Sequence, residues 1–306
     1  MPGLMILDTP SLYFRAFYGV PESVAAPDGM PVNAVRGLVD MIAMLVRDHS
    51  PGALAACMDA DWRPAFRVAA IPSYKAHRVA ADGGEEVPDT LAPQVPVIEQ
   101  VLDAAGIARL ETAGYEADDV IGTLTARASG PVDIVTGDRD LFQLVDDSRP
   151  VRVLYTIRGI KNIQPVDEAA VAERYGIPGR SYADFAVLRG DPSDGLPGVP
   201  GVGEKTAAAL ITRYGSLGAL LEAVEKGAAG AAEGLTKGRQ ARLAAAGDYL
   251  AVAPGVVRVV CDAPVPETDL ALPAGPRDPE ALEALGARYG LGGPLKRLAA
   301  ALSWEG

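Results

Sequence analysis

Gly114-Tyr-Glu-Ala-Asp-Asp-Val-Ile-Gly122, followed at 132–140 by Val-Asp-Ile-Val-Thr-Gly-Asp-Arg-Asp, decides how this chain is read. Glu116, Asp118 and Asp119 crowd ahead of the apolar helical run Val120, Ile121, Leu124. Residues 132–136 are mostly β-branched, as in a buried strand, and Asp138 and Asp140 lie just past them. Acids in the first turn of a helix are favoured by its dipole, so the triplet alone has a bland explanation. Asp138 and Asp140 have one too, as a turn and N-cap leading into residues 141–144. Recurrence shifts the balance. Asp8 ends the apolar run at 4–7, and Asp59 follows the apolar run at 54–58.

Each of these runs is followed by helix-like sequence, which implies an α/β fold with a mostly parallel sheet. In such sheets the functional crevice lies beyond the carboxyl ends of the strands. Separate strands therefore deliver Asp8, Asp59 and Asp138 to one edge, and the helix at Glu116 adds its own acids. Carboxylates held close together cannot all ionise without a counter-charge. Hard divalent ions such as Mg²⁺ or Mn²⁺ suit an all-oxygen set. A metal cluster is the expectation, ahead of scattered caps.

Composition sets the outer limits. The 306 residues are 49% hydrophobic and 22% charged, the balance of a globular chain. No apolar run is long enough to span a bilayer, and no export signal opens the sequence. Cys57 and Cys261 are far apart; Cys57 reads as an inert core thiol, and a reducing cytoplasm is expected. Net charge is −12, which argues against a general nucleic-acid coat but not against an enzyme with gathered acids and a local basic patch. With only His49 and His77, a histidine-rich metal site is not expected, and His49 reads as a helix end.

Along the chain, Thr9 is expected to cap a helix with Pro10 at its first position. Arg15, on that helix, is either a surface arginine or a phosphate contact near Asp8. Residues 33–48 have helical period. Residues 61–89 break the pattern: Arg63, Arg67, Lys75 and Arg78 are interleaved with Phe66 and Tyr74, and four acids follow. A mobile lid or arch over single-stranded nucleic acid fits, and so does a solvated loop. Residues 91–105 read as helix, 107–110 as a short strand, 151–155 and 157–163 as a hairpin turning at Arg158-Gly159, and 165–175 and 181–188 as helices. We expect a nuclease-like core over 1–164 and a mainly helical region over 165–306.

Gly190-Asp-Pro-Ser-Asp-Gly-Leu-Pro-Gly-Val-Pro-Gly-Val-Gly-Glu-Lys-Thr206 comes next. Asp191 and Asp194 are placed to complete a second metal position. Gly198 to Thr206 is one residue off a phosphate-binding P-loop and follows a Pro-rich turn rather than a strand, so nucleoside triphosphate binding is rejected. The glycines fit a helix–hairpin–helix instead, gripping a duplex backbone through amides at a helix N-terminus. Residues 216–248 read as Ala-rich helix, with Lys237, Arg239 and Arg242 on a solvated face in preference to phosphate contacts, 256–260 as a strand, and 280–289 and 295–302 as closing helices.

Asp8 with Arg15, Asp59, Tyr74-Lys-Ala-His-Arg78, Gly114-Tyr-Glu-Ala-Asp-Asp119, Thr136-Gly-Asp-Arg-Asp140 and the run from Gly190 to Thr206 resemble, in motif order, the bacterial 5′–3′ exonuclease/flap endonuclease family, which includes the N-terminal nuclease domain of DNA polymerase I. The resemblance covers roughly residues 4–300. It implies a PIN-like core, a helical arch at about 61–89, and a helix–three-turn–helix clamp at about 185–214 that often holds K⁺. Carried over by position, it implies that Asp8, Asp59, Glu116, Asp118, Asp119, Asp138, Asp140, Asp191 and Asp194 are metal acids for two or more Mg²⁺ or Mn²⁺ ions. Lys75 and Arg78 become catalytic cations. Arg15, Tyr74, Gly198, Val199, Gly201, Val202, Gly203, Lys205 and Thr206 become DNA contacts. Thr9-Pro10 stands where the family often has Gly-Ser, and Gly195 where it commonly has Asn.

The implied activity is metal-dependent hydrolysis of DNA at 5′ flaps, nicks and 5′ ends, by a cytoplasmic monomer with no membrane partner. Ending at Gly306 without a polymerase, the chain resembles a free-standing member. Rival readings are a PIN-type ribonuclease sharing the acidic core, a branched-DNA binding module without cleavage, and an Asp-x-Asp phosphatase, which leaves arch and hairpin unexplained.

Overall fold

The computed structural model describes residues 3–226 and 235–304. Its strands are β1 (Leu4–Asp8), β2 (Ala53–Cys57), β3 (Ala108–Leu110), β4 (Val132–Thr136), β5 (Val151–Tyr155) and β6 (Gln164–Val166). They form one sheet ordered β3-β2-β1-β4-β5-β6, parallel throughout except for the β5–β6 pair. Successive strand residues face opposite sides: Met5 and Leu7 enter one buried cluster and Ile6 the other. Both sides are covered, which is why these strands are almost wholly apolar.

The first helices are α1 (Thr9–Gly19), α2 (Asn33–His49), α3 (Ala65–Ala70), α4 (Val95–Ala105), α5 (Ala117–Arg127) and α6 (Glu168–Tyr175). Then come α7 (Tyr182–Arg189), α8 (Glu204–Tyr214), α9 (Leu217–Glu225), α10 (Lys237–Ala245), α11 (Gly247–Val257), α12 (Pro279–Tyr289) and α13 (Gly292–Ala301). Side chains of α1, α2, α4, α12 and α13 bury against the Met5 face, and those of α5 to α11 against the Ile6 face. Arg297 of α13 also bonds both oxygens of Asp40 in α2, at 2.8 and 3.0 Å. Strand order reverses between β1 and β4, the point at which parallel sheets open a ligand crevice. Among the described residues no helix is long and apolar enough to cross a membrane.

His49 ends α2, and Cys57 is fully buried, as expected. Several local expectations are corrected. The cap of α1 is Asp8, which accepts from Ser11 N at 3.2 Å, rather than Thr9. The hairpin partner of β5 is β6, not 157–163; Gly159 turns left-handed (φ 87°) and a 3₁₀ turn occupies Ile160–Asn162. Pro165 then falls on the edge strand, where a missing N–H costs nothing. Residues 256–260 are not a strand: Val256 and Val257 end α11, and the amides beyond bond side chains, Val259 to Gln143 and Val260 to Asp119. Part of the expected helix over 216–248, residues 227–234, lies outside the described residues.

The 61–89 segment is helical only at α3 and at the 3₁₀ turn Ala76–Arg78, and it packs down on the core. Arg67 and Tyr74, expected on a mobile lid, are 2% and 4% exposed. Arg63 is absorbed locally, donating to the carbonyls of Tyr74 (2.6 Å) and Pro72 (2.9 Å).

Candidate active site

Beyond the carboxyl ends of the strands lies a cleft of about 460 Å³, walled by Asp8, Asp59, Glu116, Asp118 and Asp138 and faced by Lys75 and Arg78. Each acid arrives on its own support. Asp8 is the last residue of β1, and Thr136, the last of β4, donates to it at 2.5 Å. The same Thr136 hydroxyl accepts from Asp138 N at 2.8 Å, so one side chain ties two acids together. Asp59, two residues past β2, accepts from Ala117 N at 2.7 Å at the start of α5. Glu116 is the N-cap of α5, and Asp118 lies in its first turn.

Electrostatically the cleft is under-compensated. Burial, then the neighbouring Asp138 charge, pushes Asp8 up to about 7 against the lowering by Thr136. Asp118 is driven well above the usual carboxylate range by burial, then by Asp138 and Asp8. Burial also raises Asp59, against the Ala117 amide, and raises Glu85 at the cleft wall. Among the described residues no three acids close into a shared coordination set as they lie. Glu116 is drawn aside by Lys75 and Arg67, and Tyr74 OH donates to it at 2.8 Å.

Lys75 is held by its backbone as well. It adopts a left-handed φ of 47°, uncommon for a residue with a Cβ, and its amide donates to the Asp194 carbonyl at 3.0 Å. Burial opposes its charge, but Glu116, Tyr74 and Asp194 together outweigh that and hold the ammonium well above its ordinary pKa. Arg78 donates to Asp194 at 3.0 Å and to the Ser193 carbonyl at 2.7 Å, pinning the segment to the loop before the hairpin.

The expected acids do not all converge. Asp119 follows Asp118 by one residue, about 100° around the helix, and lines no part of the cleft. Both its oxygens are bound by Arg67, at 2.6 and 2.8 Å, and it also accepts from Glu116 N and Val260 N. It is a structural anchor in this arrangement. Asp191 also stands outside the cleft, accepting from Arg139 (2.9 Å), Arg189 (3.1 Å) and Ser193 N (2.9 Å); burial would raise it, but these partners hold it below the usual range. Asp140 and Asp194 are both raised, chiefly by burial and then by neighbouring acids, Asp138 acting on each. One Asp140 oxygen is buried without a partner. They form an acidic flank reaching toward the hairpin.

Of the expected DNA contacts, Tyr74 is buried against Glu116, and Val199 and Val202 are core side chains, 2% and 3% exposed. Their amides are spent on Leu188 O and Val199 O, at 2.9 Å each. Gly201, Gly203 and Lys205 are exposed ahead of and within the first turn of α8, while Gly198 is buried against the end of α7. Arg15 does not line the acidic cleft; it faces a neighbouring groove. Sequence reasoning missed Thr136, Arg139 and the role of Arg67. Thr136 alone left a signal, as the one hydroxyl at the end of an apolar strand.

Sheet order, an acid-lined carboxyl edge and a glycine hairpin between α7 and α8 together define a PIN-like α/β nuclease fold. Residues 3–176 match the family described as 5'-3' exonuclease, N-terminal resolvase-like domain, and residues 177–280 match 5'-3' exonuclease, C-terminal SAM fold. A 5'-3' exonuclease of Streptomyces coelicolor is 65% identical over 304 residues, 98% of this chain and 100% of that protein. One from Mycobacterium tuberculosis is 51% identical over 314 residues, 98% and 97% of the two chains. DNA polymerase I of Mycobacterium bovis is 46% identical over 228 residues, 73% of this chain but 24% of that protein. Among solved structures, T5 5'-exonuclease with bound zinc superposes with a TM-score of 0.61 at 17% identity, covering 98% of each chain. The catalytic core of Rad2 in complex with DNA substrate does so at 0.57 and 18%, covering 99% and 92%; both show the shared fold. The chain belongs to the 5'-3' exonuclease family.

Proposed function

We propose that this member hydrolyses DNA phosphodiesters at 5′ ends, nicks and 5′ flaps, with Mg²⁺ or Mn²⁺ in the acidic cleft. The observation that carries the reading is the cleft itself: carboxylates from β1, β2, β4 and α5 share one wall system with Lys75 opposite. The donor set fits a hard ion. It offers carboxylate oxygens, and burial has raised Asp8, Asp59 and Asp118, which a cation would reverse. Asp8, Asp59, Glu116, Asp118 and Asp138 would hold it, and Asp140 and Asp194 would serve a second position. When bound, such an ion supplies a hydroxide-like nucleophile and neutralises phosphoryl charge.

The chain's own groups do the rest. Lys75, fixed by its backbone, and Arg78 at the rim neutralise and orient the scissile phosphate. Lys205, Thr206 and the free amides at the start of α8 hold a duplex phosphate. We assign the core to 1–164 and the duplex-holding region to 165–306. For K⁺ at the 198–203 hairpin, and for a cytoplasmic monomer, the support is the family resemblance, joined for the compartment by two unpaired thiols. A panel of labelled 5′-flap, nicked-duplex and single-stranded DNA, with matching RNA, in Mg²⁺, Mn²⁺ or EDTA tests the proposal. Metal-dependent cutting of flap or nicked DNA supports it. Preference for RNA would favour the ribonuclease reading, and flap binding without cutting in either metal the binding-module reading.

A further inference from the structure

Four cations line the acidic cleft of about 460 Å³, and three of them are already answered by acids. Lys75 is paired with Glu116, Arg78 with Asp194 and Arg139 with Asp191. Arg174, the fourth, makes no ion pair or hydrogen bond among the described residues. Its guanidinium lies over the ring of Tyr175, 5.3 Å from the centroid. Tyr175 is buried against the rings of Phe142, Tyr182 and Phe185, so that ring is a fixed platform.

Arg174 comes from the last turn of α6, where the helix dipole favours a cation. That explains a basic residue there, but not a guanidinium stacked at the wall of a cleft. Glu168, the acid at the other end of α6, is spent on Gly179 N at 2.6 Å. Tyr155 shares the wall with Arg174. It pairs in register with Thr136, so it lies one strand, about 4.8 Å, beyond the residue that ties Asp8 to Asp138. Phe142 holds its ring edge-on at 5.0 Å, and its hydroxyl makes no hydrogen bond among the described residues. Burial raises this phenol and the Arg174 charge leads the opposition, which puts the two groups close together. A guanidinium and a hydroxyl, donors with no protein acceptor, suit the oxygens of a phosphate.

We infer that Arg174 and Tyr155 bind a phosphate of the substrate strand other than the one that is cut, and so fix the register of that strand over the acids. Glu116, which Lys75 holds, sits beside Asp59 just past β2. Tyr155 ends β5, and β1 and β4, which lead to Asp8 and Asp138, come between. A strand crossing the cleft is thereby held on both sides of the central acids. The inference rests on the nuclease reading but adds a contact to it.

Binding of 5′-flap DNA in EDTA by the parent, Arg174→Gln and Tyr155→Phe tests it, across a salt series and with one backbone phosphate at a time replaced by a neutral methylphosphonate. Arg174→Gln should weaken binding roughly tenfold and lower the log–log salt slope by about one. Tyr155→Phe, which removes only a hydroxyl, should weaken binding several-fold with the melting temperature near the parent's. A methylphosphonate at one uncut position should weaken the parent but not Arg174→Gln, in which that contact is already lost. In Mg²⁺, Arg174→Gln should raise KM and leave kcat near the parent's, as expected for a contact made equally before and during the reaction. Parent-like affinity and salt slope in Arg174→Gln, equal sensitivity of parent and variant at every phosphate, or coupling confined to the phosphate that is cut would overturn the site. If Arg174→Gln does not fold, Tyr155→Phe against the same methylphosphonate series decides. Failure of the parent to cut any DNA in Mg²⁺ strikes the nuclease reading instead, and the coupling measured in EDTA would still register the contact.

Discussion

Asp8 gathers the electrostatic strain of the cleft in one side chain. Its carboxyl moves from 3.8 to about 7 because burial, reinforced by Asp138, disfavours the charge. For an acid raised on folding, the associated stability is complete below 3.8 and is lost as pH climbs through about 7. Without divalent ions, Asp8→Asn should therefore raise the melting temperature by several degrees at pH 8, reflecting up to about 4 kcal/mol of relieved desolvation. Near pH 4 it should change little. An equal shift at both pH values, read by calorimetry in EDTA, would contradict the account. Arg67 is the opposite case, a buried cation whose partners Glu116 and Asp119 are buried too. Arg67→Met should cost about 3–5 kcal/mol in denaturant unfolding, since it strands the buried Asp119 charge while Glu116 keeps Lys75 and Tyr74; a cost typical of a surface ion pair, below about 1 kcal/mol, would show that Asp119 finds another partner. The acids at strand ends were legible because an apolar run ending in Asp is a one-dimensional pattern. Asp119 was not, because its rotation away from Asp118 toward Arg67 depends on a segment more than forty residues earlier whose burial no local periodicity announces.

At the scale of elements, the hairpin between α7 and α8 works through close backbone approach. Gly198 has φ 65°, and a Cβ there would lie 2.6 Å from Arg189 O and Gly190 N. Gly198→Ala should therefore shift the turn, weakening binding to nicked duplex roughly tenfold while leaving single-strand binding near the parent value. Equal loss on both substrates in anisotropy titrations would remove the hairpin from duplex recognition. The glycine spacing made this element readable in advance, whereas 256–260 misled: a Val-rich run satisfies strand propensity, yet Val256 and Val257 complete α11, where tertiary packing overrides it. The docked 61–89 segment was misjudged for a related reason, its Arg and Tyr side chains being spent on Glu116 and Asp119 instead of on solvent.

Across the whole molecule net charge is −12, and six of the acids, Asp8, Asp59, Glu85, Glu116, Asp118 and Asp138, line the cleft where added cations can answer them. Mn²⁺ or Mg²⁺ should raise the melting temperature of the parent, by the equivalent of about 2.7 kcal/mol at a hundredfold excess over the dissociation constant. Asp138→Ala should lose most of that gain, and Asp119→Asn, away from the cleft, should retain it despite a lower starting stability. Equal gains in parent and Asp138→Ala would place the ions elsewhere. The mostly parallel sheet followed from the alternation of runs, so a cleft beyond its carboxyl ends was foreseeable; the strand order with its reversal at β1/β4, and the resting pull of Lys75 on Glu116, were not, because they require the coordinates of several elements at once. The most direct measurement is cleavage of a labelled 5′-flap DNA by Asp138→Ala beside the parent, in Mg²⁺ and at saturating protein. The parent should cut and the variant should lose at least about three orders of magnitude in rate; cutting by Asp138→Ala at the parent's rate would contradict an acid-held metal centre.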